Sequence, residues 1–242
     1  MRILALDTST AACSVAVVDG DAVRAELTLE VPRAHSTRLM PLVQQALEES
    51  GLKRGDLELI AVGVGPGSFT GLRIGIATAK GLAMGLGIPA VGVSSLKAIA
   101  IGTGAQLGLV VPMLDAKRER IFTAAYAPGT EDPATWVELL PVQHTTVSEL
   151  APQLAELRAG LRHSWQFVTT AGDGAEPYST KLELGEALRV APAGLRLPRA
   201  SAVARVGLSE FRAGATTDPD ALAAVYLRQT EAERLWAERH SG

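Results

Sequence analysis

The sequence predicts an α/β protein of two related lobes, each a mixed sheet with flanking helices. Three observations carry this. Over residues 1–104 strand and helix patterns run strand, strand, strand, helix, strand, helix, strand, helix. The Asp19-Gly20 pair marks a hairpin between two of the early strands, so the sheet is mixed rather than all parallel. Near residue 105 the pattern restarts: ILALDTSTAACSVAVV at 3–18 is answered by VPMLDAKRERIFTAAY at 111–126, which sets Asp7 against Asp115. The expected division is an N-terminal lobe over 1–104, a C-terminal lobe over 105–215 and a surface tail over 216–242.

Each element has a local cause. Arg2 to Leu6 is an apolar strand closing on Asp7, and Ser14 to Val18 and Ala22 to Leu29 are the hairpin strands. Ser36 is expected to cap a helix reaching Ser50, where Leu39, Met40, Val43, Ala46 and Leu47 recur at helical spacing and Gly51 stops the chain. Pro41 falls in its first turns, where proline is tolerated. Leu57 to Val64 reads as a buried parallel strand. A helix is expected from Thr70 to Leu86, then a strand from Pro89 to Val93 and a helix capped by Ser94 or Ser95. The second lobe reads as strand Trp136 to Val142, helix Ser148 to Gly160, strand Gln166 to Thr170, a loop AGDGAE and helix Ala202 to Ala213.

Composition narrows the function. With 47% hydrophobic and 20% charged residues, the chain can fill a real core. Its 23 Lys plus Arg against 26 Asp plus Glu argue against holding nucleic acid alone, which needs clustered excess cations. The KRER run at 117–120 reads as a solvated turn. Cys13 is the only cysteine, which excludes a disulfide framework and a Cys-based zinc site within one chain. MRILALDTST reads as a buried strand rather than a signal peptide, and GLAMGLGIPAVGV at 81–93 is too short and broken to cross a membrane. A cytoplasmic protein is expected.

The stretch GPGSFTGLRIGIATAKG at 65–81 looks first like a phosphate cradle. It lacks the Lys-Ser/Thr of a P-loop, and the dinucleotide pattern fails because Thr70 stands where its last glycine belongs. A weaker anion site remains, from helix N–H groups with the Ser68 and Thr70 hydroxyls. The plainer reading is a tight turn at Gly65-Pro66-Gly67 with Ser68 or Thr70 as N-cap. Gly71, Gly75 and Ala79 form one strip of the helix, and Ala77, Gly81 and Gly85 an adjoining one. A helical glycine costs roughly 1 kcal/mol relative to alanine, so close packing must offset it. We read one strip as facing the chain's own sheet and the other as facing a helix of another protein.

LALDTSTAACSVAV, AVGVGPGSFTGLRIGIATAKGLA and GIPAVGVSSL resemble the bacterial TsaB (YeaZ) family, and MLDAKRERIFTAAY and AVYLR extend the resemblance more loosely. That family is needed for the threonylcarbamoyladenosine modification of tRNA next to the anticodon. GPGSFTGLRIG is shared with its catalytic relative, TsaD. The resemblance implies the two-lobed fold of actin, sugar kinases and heat-shock-type ATPases, built of duplicated ribonuclease H-like lobes. TsaD holds metal on an H-x-x-x-H pair whose equivalents here are Ser95 and Ile99, while His35, His144, His163 and His240 are scattered, so no metal is expected. His35 is read as a helix-entry residue.

The resemblance also implies a site. The first turn keeps Asp7, but Thr8-Ser9-Thr10-Ala11 has no glycine, and TAGDGAE at 170–176 is either a remnant adenosine loop or an ordinary one. Asp7, Thr8, Ser9, Ser68, Thr70, Gly172 and Gly174 are the candidates for a weak nucleotide or anion site, with no intrinsic cofactor and with ATP or ADP held weakly, if at all, at a complex interface. No catalytic residue is assigned; Ser68 is not in a G-x-S-x-G elbow. The implied partner is TsaD, met through Arg38, Leu39, Leu42 and Gln45 on one helix and Gly71, Arg73, Ile74, Ala77, Thr78 and Gly81 on the next. TsaE, an ATPase, joins the assembly; tRNA is reached only through the complex. The same face can pair two copies as a homodimer. The segment from Asp218 to Arg228 is assigned to TsaE or to the lobe junction. Leucine at Gly71 and Gly75 is expected to abolish TsaD binding and spare the fold. The rival reading is an ATP-dependent kinase or transferase that uses Asp7 or Asp115.

Overall fold

β1 (Arg2–Asp7), β2 (Ala12–Asp19) and β3 (Ala22–Glu30) run as an antiparallel meander, with Arg2 opposite Asp19 and Asp7 opposite Ser14. In this computed structural model, which describes residues 1–30, 34–130, 132–160, 167–215 and 218–227, two further strands join β1 in parallel. They are β4 (Leu59–Gly65) and β5 (Ala90–Ser94), giving the order β3-β2-β1-β4-β5. Between and after them come α1 (His35–Ser50), α2 (Phe69–Leu86) and α3 (Ser95–Gly102). Parallel β1, β4 and β5 are covered on both faces, which is why they read as continuous apolar runs.

The second sheet repeats the first strand for strand. β6 (Leu109–Asp115), β7 (Arg120–Ala127) and β8 (Val137–Thr146) form the meander. β9 (Val168–Ala171) and β10 (Leu188–Val190) then add in parallel, so the order is β8-β7-β6-β9-β10. The helices are α4 (Val147–Ala159), the single turn α5 (Ala175–Tyr178) and α6 (Ala200–Arg212). Asp7 and Asp115 end the equivalent strands β1 and β6, as the sequence repeat expects.

The lobes are tied by exchanged helices. α6 follows β10 yet packs on β1, β2, β4 and β5, while α3 packs on β6 and β7, and the two helices touch. One core therefore runs through Ile3, Ala5, Val91, Ile99, Val110, Tyr126, Val203 and Val206. Gly207 lets α6 sit close, since a Cβ there would lie 2.6 Å from Ala61 Cβ. The start of α6 is capped from the first lobe: Ala200 N donates to Ser14 Oγ at 2.9 Å and Ser201 N to Glu26 Oε1 at 2.8 Å. The Arg199 guanidinium pairs with the same Glu26 carboxylate.

Two expectations need correction. α1 starts at His35 behind Ala34, which offers no side-chain cap; Ser36 lies exposed inside the first turn. The stop at Gly51 is as expected, in the left-handed region at φ 71°. The tail is not simply superficial, because Leu222 is buried in the core of the first lobe, its Cδ2 beside Gly92 on β5. Residues 228–242, with His240, and 161–166, with His163 and Gln166, lie outside the described residues. Among the described residues no helix is long and apolar enough to cross a membrane.

Candidate docking face and inter-lobe cleft

The glycine stretch is a turn and a bare helix. Ser68 caps α2, its Oγ accepting from Gly71 N at 3.3 Å, and Ser68 N donates to Ser9 O at 2.6 Å. Gly67 permits that approach, because a Cβ there would overlap the Ser9 carbonyl. Thr8 Oγ1 donates to Gly71 O at 2.7 Å. A Cβ on Gly71 would strike the Thr8 carbonyl, and one on Gly75 the Thr8 hydroxyl. The strip of Gly71, Gly75 and Ala79 is thus buried on the chain's own first turn and sheet. Gly71 is accordingly not open to a helix of another protein, and leucine at Gly71 or Gly75 cannot spare the fold.

The adjoining strip is different. Arg73, Ala77, Gly81 and Gly85 are exposed, Ile74 and Thr78 are half-buried, and a Cβ on Gly81 or Gly85 would meet nothing within 4 Å. Met84 on α2 is 60% exposed and Met40 on α1 40%. On α1 the assigned residues divide. Arg38 and Gln45 face solvent, but Leu39 and Leu42 are buried with Val43, Ala46 and Leu47 against β2 and β3, so these two leucines are core.

Residues 218–227 reach the lobe junction, one of the two placements expected from the sequence, with Val225 to Leu227 at the inter-lobe cleft; that they do so by crossing α2 was not foreseen. Lys80 Nζ donates to Asp220 O at 3.0 Å and Val225 N to Val64 O at 2.8 Å. Tyr226 stacks 4.9 Å from Phe69 and accepts from Arg73 Nε at 3.1 Å, while the Arg73 guanidinium lies 3.7 Å from the Phe69 ring centre. The apolar run ALAAVYL at 221–227 was the available signal.

Between the lobes lies a cleft of about 890 Å³. Ser9, Ser68 and Thr70 line it from the first lobe and Asp115, Lys117 and Asp173 from the second. The other candidates for an anion site do not open on it. Asp7 is fully buried: Oδ1 accepts from Ser9 N at 2.8 Å and Ser9 Oγ at 2.7 Å, and Oδ2 from Ser95 Oγ at 3.3 Å. Burial pushes its carboxyl above the usual range, against these hydrogen bonds. Thr8 is buried under Gly71. Gly172 and Gly174 are bare because β6 is close; Gly172 N donates to Arg196 O at 2.7 Å and Gly174 N to Met113 O at 2.9 Å.

The second-lobe wall is acidic. Burial opposes ionisation of Asp115, but the Lys117 ammonium at 2.7 Å, the Lys117 amide and the Tyr178 hydroxyl outweigh it and hold the carboxyl low. Asp173 accepts from Asp115 N at 2.8 Å, and burial raises its carboxyl. Lys117, Arg118 and Glu119 all have left-handed backbone, at φ 69°, 57° and 60°, which no glycine advertised. Phosphate fits this cleft poorly: two carboxylates face it, Lys117 is paired, and the Ser9 and Ser68 amides are bonded internally. Ser95 and Ile99 are both fully buried, Ser95 on Asp7 and Ile99 in the apolar core. Among the described residues no group of three His, Cys, Asp or Glu is placed to hold a metal ion. His35 Nε2 lies 3.3 Å from Ala12 O, which anchors the start of α1.

Comparison with known proteins adds four findings. The family model for TsaD, tRNA N6-adenosine threonylcarbamoyltransferase, matches residues 29–236. The tRNA threonylcarbamoyladenosine biosynthesis protein TsaB of Escherichia coli is 37% identical over 235 residues, covering 96% of this chain and 96% of that protein. Among solved structures, YeaZ from Pseudomonas aeruginosa superposes with a TM-score of 0.74 at 27% identity, covering 93% of this chain and 99% of that one. A ROK hexokinase from Thermus thermophilus shares the fold, with a TM-score of 0.52 at 16% identity over 88% of this chain and 100% of that one.

Proposed function

The chain belongs to the TsaB family of tRNA threonylcarbamoyladenosine biosynthesis proteins, and from that premise we propose that it is a non-catalytic subunit that docks on its cognate TsaD and holds it in a competent state. The observation that carries this reading is the open strip of α2. Ala77, Gly81 and Gly85 present bare backbone to solvent with nothing within 4 Å of either glycine's missing side chain. Helical glycines that cost stability and serve no internal packing call for an external neighbour. Exposed Met84 and Met40 give the same face adaptable apolar contact. Arg38, Gln45, Arg73, Ile74 and Thr78 complete it; Gly71, Leu39 and Leu42 support it from beneath.

In this reading TsaE joins the assembly, tRNA is met only through the complex, and a homodimer uses the same face when TsaD is absent. TsaD transfers the threonylcarbamoyl group, and this chain carries out no bond chemistry. The rival, a kinase or transferase working through Asp7 or Asp115, has less support. Asp7 is bonded to Ser9 and Ser95 away from the cleft, and Asp115 is paired with Lys117. Co-purification of the tagged chain from its host, with and without ATP, tests the choice. Recovery of TsaD supports docking; tight, magnesium-dependent ATP turnover by the isolated chain supports the rival.

A further inference from the structure

We propose that residues 218–227 are a latch on the inter-lobe cleft and that Arg73 is its keeper. Val225, Tyr226 and Leu227 form part of the cleft wall. The latch is held lightly. Leu222 is its one buried large side chain, 8% exposed, whereas Val225 and Tyr226 are 44% and 45% exposed. Its backbone touches the sheet through Val225 N to Val64 O at 2.8 Å, and Lys80 holds the far end at Asp220 O. The remaining ties are at Tyr226: its ring lies 4.9 Å from that of Phe69, and its hydroxyl accepts from Arg73 at 3.1 Å, the guanidinium lying 3.7 Å from the Phe69 ring and 5.9 Å from that of Tyr226. A segment with one buried anchor and solvent-exposed hydrogen bonds opens locally without unfolding the domain.

Arg73 also stands in line with the open strip. Residues 73, 77, 81 and 85 recur every fourth position, so a helix laid along Ala77, Gly81 and Gly85 meets Arg73 at its end. A partner acidic at that point draws the guanidinium from Tyr226 and releases the latch. The coupling is as strong as the partner's extra interaction with Arg73 in the released state. Docking on one face thereby opens the cleft on another. For its trigger this inference rests on the docking reading; the latch itself does not.

Hydrogen exchange on the full-length chain tests both parts. In Arg73→Gln the Val225 amide is expected to exchange about tenfold faster than in the wild type, with the β1 and β4 amides unchanged. Tyr226→Phe, which keeps the ring, is expected to give about threefold. Unchanged exchange at Val225, or a uniform rise across the sheet, overturns the latch. Adding cognate TsaD to the wild-type chain is expected to speed exchange over 222–227. Docking with that segment unchanged or more protected overturns the coupling and leaves the docking reading standing. Absence of docking refutes the docking reading and with it the trigger, while the Arg73→Gln comparison still decides the latch.

Discussion

Two glycines six residues apart on α2 have opposite reasons to exist. Gly75 is bare because Thr8 occupies the space of its side chain; Gly81 is bare with only solvent outside it. Gly75→Ala is therefore expected to destabilise the fold by about 1–3 kcal/mol through overpacking, and Gly81→Ala to stabilise it by roughly 1 kcal/mol through helix propensity. Chemical denaturation of the two variants measures both. The four-residue spacing made the two strips legible in the sequence, but which strip faced inward depended on Thr8, 63 positions away in the chain. Leu39 and Leu42 were misassigned because a helix face that meets a sheet and one that meets a partner carry the same apolar spacing. Asp7 offers a second test. Its folded-state pKa lies above the usual 3.8, so the fold favours the protonated form. That contribution is complete below 3.8 and is lost as pH rises through the folded-state value. Asp7→Asn cannot ionise and is expected to flatten the fall of stability with rising pH over this acid range. It is also expected to leave the tRNA modification in cells intact, where the rival enzyme reading requires its loss.

Among the elements, α6 shows how the lobes hold together. It belongs to the second half of the chain, packs under the first sheet and takes its cap from Glu26 on β3. Glu26 holds one backbone N–H and the Arg199 side chain, and its side chain is only 9% exposed. Glu26→Ala should therefore cost about 1–2 kcal/mol, as loss of a helix cap does, and thermal unfolding reads it out. No local sequence signal could announce a cap 175 residues distant. Local signals worked where the cap is adjacent: Ser68 on α2 and Ser94 on α3, each one of two candidates the sequence offers; the Thr146–Glu149 capping box that starts α4 was equally local but went unread. The start of α1 was misread because Ser36 has the cap chemistry, while the His35 contact with Ala12 O brings the chain into helix two residues earlier, with Ala34 at the cap position.

At the scale of the molecule, a duplicated lobe has been used asymmetrically. The two sheets share one strand order, yet the helix after β4 has 18 residues and its counterpart after β9 has four. Only the first lobe, among the described residues, sets a long open helix beside the cleft. The repeat of LALD at 4–7 in PMLD at 112–115 foretold the duplication, but the shortening of α5 and the return of 218–227 onto α2 are long-range facts of packing. The measurement closest to the central claim is the affinity of cognate TsaD for Gly81→Arg beside the wild type, read by titration calorimetry. Arginine at Gly81 projects into open solvent from a helix it favours, so the variant should remain folded and at least as stable. The account predicts that it binds TsaD about a hundredfold more weakly, as disruption at the centre of an interface does. A folded variant that binds TsaD as tightly as the wild type contradicts it.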